Sequence, residues 1–255
     1  MNAAIKIESS VHSVSDGVIE YPGYMNEAEL SYFLSWAKPL KGKILDVAAC
    51  AGHAVCEIAP FVESVVALDF RKEMVHKVIE RAAEHNLTNI KACLSFSNHL
   101  NFNAGTFDGV ICRGIAHHIG EIQLFLSEIV RVLKPGGWFL LEDIVGPNEF
   151  SFTKELDEVE KIRDPSHIHF YTPEIWTKMI AEAGLEQKKV EIAPKLYNLN
   201  NLFVKANVPE LKQEFLMQKM LESKGWLREY LRPHGEGKSL TIHYHKMILY
   251  ATKPH

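Results

Sequence analysis

Residues 46–52 combine an acid, Asp46, with a run of small side chains, and an amphipathic pattern begins directly after them. The apolar run at residues 43–47 is typical of a buried parallel strand. Small residues allow a ligand to approach the backbone closely, and the N-terminus of the helix that follows supplies free N–H groups. We therefore expect a nucleotide-like ligand to bind at this turn.

A second acid, Asp69, directly follows the next apolar run at residues 64–68 and lies 23 residues after Asp46. In a Rossmann-like fold, a carboxylate at about this spacing accepts hydrogen bonds from the diol of a ribose. The alternative is that Asp69 only caps the helix predicted over residues 72–85. We favour the ribose contact, because it agrees with the ligand expected at the preceding turn.

The order of the predicted elements explains how these acids come together. Strand and helix patterns alternate five times, which implies a mostly parallel sheet with right-handed crossovers. Ligands of such sheets bind at the carboxyl ends of the strands, where both acids lie. The expected fold class is α/β, a Rossmann-like, seven-stranded, mostly parallel sheet with helices on both faces. The first five strands are predicted at residues 43–47, 64–68, 90–94, 106–113 and 138–141.

We expect one domain over residues 1–255. Within it, residues 1–38 form an N-terminal arm and helix, 40–185 the cofactor-binding core, and 198–238 a helical lid inserted near the C-terminus. The last strand, at residues 240–252, is expected to be antiparallel and to lie at the edge of the sheet. The later helices are predicted at residues 150–161, 173–183, 207–223 and 226–231, and the sixth strand at residues 190–197.

The first turn resembles the first motif of class I methyltransferases that depend on S-adenosylmethionine (SAM). Asp46, Ala48, Cys50 and Gly52 occupy the places of its acid and its three glycines. In that family the loop wraps the amino-acid end of SAM, so the resemblance implies SAM as the cofactor and S-adenosylhomocysteine as the product. It implies cofactor contacts from Asp46, Ala48, Cys50, Gly52, Asp69, Phe70, Ser97, Asn98 and Arg113.

Later motifs look like the ubiquinone and menaquinone type of small-molecule methyltransferase, and the resemblance covers residues 40–185. One departure is Phe96, which stands where the family usually has an acid that meets the adenine amino group. Ser97 and Asn98 are then the polar candidates at that place. A segment at residues 163–167, with Trp176 and Ala183-Gly184-Leu185 downstream, is similar to a bacterial subgroup of this branch. The motifs of the branch itself are Phe107-Asp108, Cys112-Arg113, His117-His118, residues 132–137 and Leu141-Glu142-Asp143.

Three polar side chains near the mouth of the cleft are candidates for a catalytic base or a substrate anchor: His118, His167 and Asp143. Methyl transfer from a sulfonium is an in-line displacement, so the protein must mainly align the reactants and exclude water. A base is needed only if the acceptor must lose a proton. Each candidate also has a structural interpretation, in which the pair His117-His118 caps the next helix and Asp143 holds backbone amides.

The sequence leaves two classes of function open. The first is SAM-dependent transfer of a methyl group to an O, N or C atom of a small metabolite. The second is a protein that keeps the methyltransferase fold and binds SAM or a related ligand, but performs a non-methylating reaction or has a binding role. Cys50 bears on this choice, because its Cβ atom crowds a place where glycine allows the closest approach of a ligand.

Composition and cysteine spacing bear on metal binding, location and partners. The four cysteines fall in predicted core elements without a metal-binding spacing, so we expect reduced thiols and no metal site. No apolar run is long enough to cross a membrane, and residues 1–15 lack a signal-peptide core. We expect a cytoplasmic protein with a small-molecule acceptor and without a nucleic-acid or membrane partner. An exposed last strand would allow a homodimer.

Overall fold

The sheet of the computed structural model has seven strands in the spatial order third, second, first, fourth, fifth, seventh, sixth. The structure describes residues 27–95 and 99–255, so the predicted N-terminal arm and the contacts assigned to residues 96–98 lie outside the described part. The predicted α/β fold with a mostly parallel sheet is confirmed. The strands are β1 (Lys43–Val47), β2 (Ser64–Asp69), β3 (Ile90–Leu94), β4 (Phe107–Arg113), β5 (Leu133–Val145), β6 (Glu186–Asn198) and β7 (Thr241–Thr252).

Strand β7 runs antiparallel to both of its neighbours, β5 and β6. The prediction that it lies at the edge of the sheet is wrong, because it pairs on both sides and β6 forms the edge. Its side chains explain this position: Met247 and Leu249 point to one face, Ile248 points to the other, and all three are buried. A strand that buries both faces belongs inside a sheet.

Helices cover both faces of the sheet, as predicted. They are α1 (Glu27–Ser35), α2 (His53–Ile58), α3 (Lys72–Glu84), α4 (Ile122–Val132), α5 (Phe150–Arg163), α6 (Pro173–Glu182), α7 (Leu199–Lys205), α8 (Glu210–Leu221) and α9 (Gly225–Leu231). On one face, α1 to α3 bury side chains such as Phe33, Val55 and Val78. On the other, α4 and α6 bury side chains such as Phe125 and Trp176. The sheet is therefore the middle layer of a three-layer core.

Local sequence signals set the ends of these helices. Thr172 caps α6 by accepting a backbone hydrogen bond with its side chain, and Pro173 occupies the first turn. Helix α4 ends at Val132, shortly before Pro135 and Gly136, which disfavour a continued helix. Strand β5 begins earlier than predicted, because Leu133 already pairs with Phe107 before a shift of register.

Three helices, α7 to α9, lie between β6 and β7, where the sequence places an insertion at residues 198–238. Helix α7 is not among the predicted helices, because seven residues give too short a periodic pattern. Trp226 of α9 stacks on Phe152 of α5, with ring centroids 4.4 Å apart. Tyr230 of α9 donates a hydrogen bond to the carbonyl of Val145 at the end of β5, at 2.7 Å. The insertion is therefore fixed to α5 and to the carboxyl end of the sheet.

Within residues 27–95 and 99–255, no helix is long and apolar enough to cross a membrane.

The cysteines of this part of the chain are free thiols. Cys112 is buried in the core, but Cys50 is exposed, so the prediction that every cysteine lies in the core is wrong at the first turn.

A methyl group added at Gly109 of β4 should destabilise the sheet. A Cβ atom there would lie 2.2 Å from the ring of Trp138 on β5, so the ring or a strand must move. We expect Gly109→Ala to lower the free energy of unfolding by about 1–3 kcal/mol, measured by urea denaturation. Gly120→Ala is the control, because its Cβ would meet only Ile168, at an ordinary 3.4 Å. An equal loss in both variants would contradict this packing.

Candidate active site

The turn after β1 has left-handed backbone conformations at Ala48, Cys50 and Gly52, with φ angles of 61°, 49° and 80°. These are the places of the three motif glycines. A residue with a Cβ atom adopts this conformation at a cost of roughly 1–2 kcal/mol. Backbone hydrogen bonds hold the turn, since the amide of Ala49 donates to Leu68 at 2.8 Å and that of Gly52 to Ala49 at 2.9 Å. The turn therefore keeps the shape that glycine favours despite Cys50.

The carboxylate of Asp69 lies at the end of β2 and accepts four hydrogen bonds. The backbone amides of Cys50 and Arg71 donate at 3.0 Å each. The Arg71 guanidinium donates through Nε at 3.1 Å and through Nη2 at 3.3 Å. The predicted cofactor residue Phe70 is partly buried, with its ring centroid 5.4 Å from this guanidinium. The predicted ribose acid is thus at the expected edge of the sheet, held by an arginine that the sequence analysis did not single out.

Asp46 of β1 is buried, with 2% of its surface exposed. Its carboxylate has no hydrogen-bond partner in the part of the chain that the structure describes. Burial raises the pKa of this carboxyl to about 7; the positive charge of Arg113 opposes the shift and the charge of Asp69 adds to it. A cationic ligand group would stabilise the ionised form of Asp46.

Arg113, at the end of β4, belongs to a chain of ion pairs that connects α1 to the sheet. Its Nε donates to Glu142 of β5 at 2.6 Å. Glu142 also lies 2.9 Å from the ammonium of Lys246, which in turn lies 3.4 Å from Glu29 of α1. The predicted cofactor residue Arg113 is therefore positioned by Glu142, and its charge still acts on the carboxyl of Asp46.

His117 lies in a short 3₁₀ turn after β4 (Ala116–His118), beside Asp143 at the end of β5. Its ring Nδ1 is 2.6 Å from Oδ1 of Asp143, and its backbone amide donates to Oδ2 at 3.0 Å. A carboxylate only accepts hydrogen bonds, so we assign the proton to Nδ1 and the lone pair to Nε2. Asp143 thus positions His117, which the sequence analysis named only as one half of a pair.

His118 lies next to His117, with ring centroids 4.1 Å apart. Its Nδ1 is 3.0 Å from the carbonyl oxygen of Ser166 and 3.1 Å from the hydroxyl of the same residue. Burial is the largest of the effects that lower the pKa of His118 to about 4, so its ring is neutral at pH 7. Because a carbonyl oxygen accepts from Nδ1, the lone pair of His118 is on Nε2.

His167 is buried in the segment between α5 and α6, where its Nε2 is 2.7 Å from Oδ1 of Asp157. The other oxygen of Asp157 is 2.6 Å from Nδ1 of His169, and the amide of Phe170 donates to Oδ1 at 2.9 Å. Burial alone raises the pKa of Asp157, but hydrogen bonds from both imidazoles and this amide lower it to about 2. Nδ1 of His167 is buried and has no hydrogen-bond partner in the described chain.

The rings of His117, His118 and His167 form one cluster, which we call the histidine cluster. The ring of His167 lies 5.7 Å from that of His117 and 6.4 Å from that of His118. The amide of Ile168 donates to the carbonyl of His117 at 3.0 Å, which joins the two segments. Among residues 27–95 and 99–255, no group of three or more His, Cys, Asp or Glu side chains has an arrangement that could hold a metal ion.

Comparison with known proteins decides the family. A family model described as a methyltransferase domain matches residues 41–184, which is more than half of the chain. The chain belongs to the class I SAM-dependent methyltransferases.

Relatives and solved structures agree with this membership. The chain is 30% identical over 149 residues to YcgJ of Bacillus subtilis, an uncharacterized methyltransferase, across 58% of this chain and 59% of that protein. It is 29% identical over 174 residues to the mitochondrial ubiquinone biosynthesis O-methyltransferase of Rattus norvegicus, across 63% of this chain and 49% of that protein. The chain thus spans about half to three fifths of the length of these two relatives. A solved structure of a proposed methyltransferase from Bacillus halodurans C-125 superposes with a TM-score of 0.84, at 26% identity, over 89% of this chain and 100% of that one. The predicted resemblance is confirmed.

The residues at the strand ends of this chain fit SAM, the cofactor of its family. SAM carries a ribose diol and two positive groups, an ammonium and a sulfonium. Asp69 supplies a carboxylate at the place of the ribose acid. Asp46 supplies a second carboxylate that lacks a hydrogen-bond donor among the described residues, so a positive group would complete its environment.

Cofactor affinity should depend on pH through Asp46. Because the pKa of this carboxyl is about 7 without ligand, a cationic cofactor must bind the ionised form. We expect the affinity for SAM and for S-adenosylhomocysteine, measured by calorimetry, to fall by up to about tenfold per pH unit below pH 7 and to level off above it. Asp46→Asn should bind more weakly and lose this dependence. A wild-type affinity that stays constant between about pH 6 and 8 would contradict the assignment.

Proposed function

We propose that the protein transfers a methyl group from SAM to an O, N or C atom of a small metabolite, which binds at the histidine cluster. The observation that carries the proposal is the arrangement of this cluster. One ring nitrogen of each imidazole is fixed by a carboxylate or a carbonyl, next to the strand ends that form the cofactor side. The likeness to a ubiquinone biosynthesis O-methyltransferase supports a small-molecule acceptor.

The cofactor side would hold SAM through the residues predicted for it. When bound, SAM supplies the electrophilic methyl group, and the chain holds and orients the reactants. Asp69 would accept hydrogen bonds from the ribose hydroxyls, and Asp46 would balance a positive group. The turn at residues 48–52 would face the amino-acid end. Ser97 and Asn98 stay predicted contacts of the adenine.

His117 is suited to take a proton from the acceptor. Its Nε2 carries the lone pair, while Asp143 fixes the tautomer and would stabilise the imidazolium that forms. His118 does not compete for this proton, because its pKa of about 4 keeps it neutral at pH 7. We therefore assign the base to His117, with Asp143 as its positioning residue and His118 as a hydrogen-bond acceptor for the substrate.

The tautomers favour an acceptor that donates hydrogen bonds. His167 donates from Nε2 to Asp157, so its buried Nδ1 carries a lone pair without a donor in the described chain. A buried acceptor without a partner costs about 1–3 kcal/mol, which a hydroxyl or N–H group of a ligand would offset. A hydroxyl also loses its proton on methylation, and His117 can accept that proton. Among O, N and C acceptors, we favour a hydroxyl.

The insertion between β6 and β7 would act as the predicted lid at residues 198–238 and exclude water from the site. Tyr230 joins α9 to Val145 at the end of β5. The insertion is thus fixed at the end of β5, the strand that also carries Asp143.

The second class of function is a protein that binds SAM or a related ligand without methyl transfer. The left-handed φ of 49° at Cys50 argues against it, because this residue leaves the shape of the cofactor turn intact. The two classes separate in an assay with SAM labelled at the methyl group and a panel of hydroxylated, amine and carbon acceptors. We expect labelled product from a hydroxylated acceptor. Tight binding of S-adenosylhomocysteine without product across the panel would favour the second class.

Loss of the base should affect turnover and spare cofactor binding. We expect His117→Asn and Asp143→Asn to lower kcat by about 10²- to 10⁴-fold with a hydroxylated acceptor, because the proton then lacks an oriented base. The affinity for S-adenosylhomocysteine, measured by calorimetry, should not change. His76→Gln, on the exposed face of α3, is the matched control. A kcat of His117→Asn equal to that of the wild type would rule out this base.

A further inference from the structure

We propose that Arg71 is an internal competitor of the cofactor: its guanidinium occupies the positions on Asp69 that the ribose hydroxyls take, and it must leave when the cofactor binds. The inference rests on the proposed cofactor site and adds a residue that sets the affinity of that site. When no cofactor is bound, the guanidinium of Arg71 stays hydrogen-bonded to the carboxylate of Asp69.

The carboxylate of Asp69 has no acceptor position left. An ionised carboxylate offers about four such positions, two on each oxygen. On Oδ1 of Asp69, the backbone amide and Nε of Arg71 donate. On Oδ2, the backbone amide of Cys50 and Nη2 of Arg71 donate. A ribose hydroxyl can therefore donate to Asp69 only after one of these donors has left.

The two side-chain donors are the ones able to leave. The amide of Cys50 belongs to the hydrogen-bonded turn after β1, and the amide of Arg71 lies at the start of α3, so neither moves without local unfolding. The Arg71 side chain is 27% exposed and can rotate into water, where its guanidinium is solvated. The hydroxyls of a ribose then take the places of Nε and Nη2.

Cys50 contributes to the same contact. Nη2 of Arg71 lies 3.4 Å from the Sγ atom of Cys50, so the guanidinium bridges the cofactor turn and Asp69. A glycine at this place has no side-chain atom for Nη2 to meet. The cysteine at the second motif position therefore holds the guanidinium in its ligand-free place, a role that the motif alone does not predict.

The competition has a consequence for both cofactor and product. The observed affinity equals the intrinsic affinity multiplied by the fraction of molecules in which Asp69 is open. S-adenosylhomocysteine carries the same ribose as SAM, so the return of the guanidinium to Asp69 also favours product release. An Arg71 variant should then bind the product more tightly and show stronger product inhibition.

The test compares Arg71→Ala with the wild type by calorimetry with S-adenosylhomocysteine and by thermal unfolding without ligand. We expect Arg71→Ala to bind about tenfold more tightly, a modest factor because the guanidinium is partly exposed. Its ligand-free Tm should fall by about 2–4 °C, because Asp69 loses two donors. Lys72→Ala, which removes an exposed positive charge one residue further along, should change neither quantity.

A second ligand tests the ribose itself. The 2′,3′-dideoxy analogue of S-adenosylhomocysteine has no hydroxyl that needs Asp69, so wild type and Arg71→Ala should bind it equally. Arg71→Lys should show a smaller gain for S-adenosylhomocysteine than Arg71→Ala, because one ammonium keeps a single contact with the acid.

Three outcomes overturn the competition, and one of them also overturns the cofactor site. Equal or weaker binding of S-adenosylhomocysteine by Arg71→Ala, with clear binding by the wild type, overturns the competition and leaves the cofactor site in place. An equal gain for the dideoxy analogue does the same, since it separates Arg71 from the ribose hydroxyls. No binding by the wild type and by Arg71→Ala overturns both the competition and the cofactor site. Binding by Arg71→Ala alone supports both.

Discussion

Carboxylates buried at the ends of parallel strands need positive or hydrogen-donating partners, and the rest of the active site is arranged to provide them. Three of the four acids at this edge are paired with a basic side chain, and two of these pairs join different segments. Asp46 is the fourth, and burial raises its pKa to about 7. The paired acids fix the loops, while the unpaired one is ready for a cationic ligand. The pairs are Asp69 with Arg71, Glu142 with Arg113, and Asp143 with His117.

The same constraint organises the acceptor side. Asp157 of α5 accepts hydrogen bonds from His167, His169 and the amide of Phe170. These hydrogen bonds fix the segment before α6 to α5. Helix α5 also supports the insertion, through the stack with Trp226. The proposed lid and the His167 part of the proposed acceptor side therefore both depend on α5, whereas Asp46 and Asp69 of the cofactor side lie on β1 and β2. Changes on α5 would thus act on the acceptor side more directly than on these two acids.

The parts of this structure that the sequence predicts are those set by local pattern. Apolar runs that end in acids locate β1 and β2, and they place Asp69 at the carboxyl end of β2, as observed. The place of β7 inside the sheet depends on pairing with β5 and β6, which no local pattern records. For the same reason the sequence names Asp69 but misses Arg71, since side-chain direction follows from packing. Of the adjacent residues His117 and His118 after β4, it is His117 that faces Asp143, because of the geometry of the 3₁₀ turn.

The two acids of the cofactor side act on each other. The charge of Asp69 raises the pKa of Asp46, so release of Arg71 from Asp69 leaves more uncompensated negative charge near Asp46. A neutral nucleoside would open Asp69 and leave that charge unbalanced. On the proposed assignments, SAM would bring a ribose diol for one acid and a positive group for the other, so it would replace the guanidinium in both respects. A site of this kind would select for a ligand that carries both groups at once, and a nucleoside without a cationic arm lacks the second.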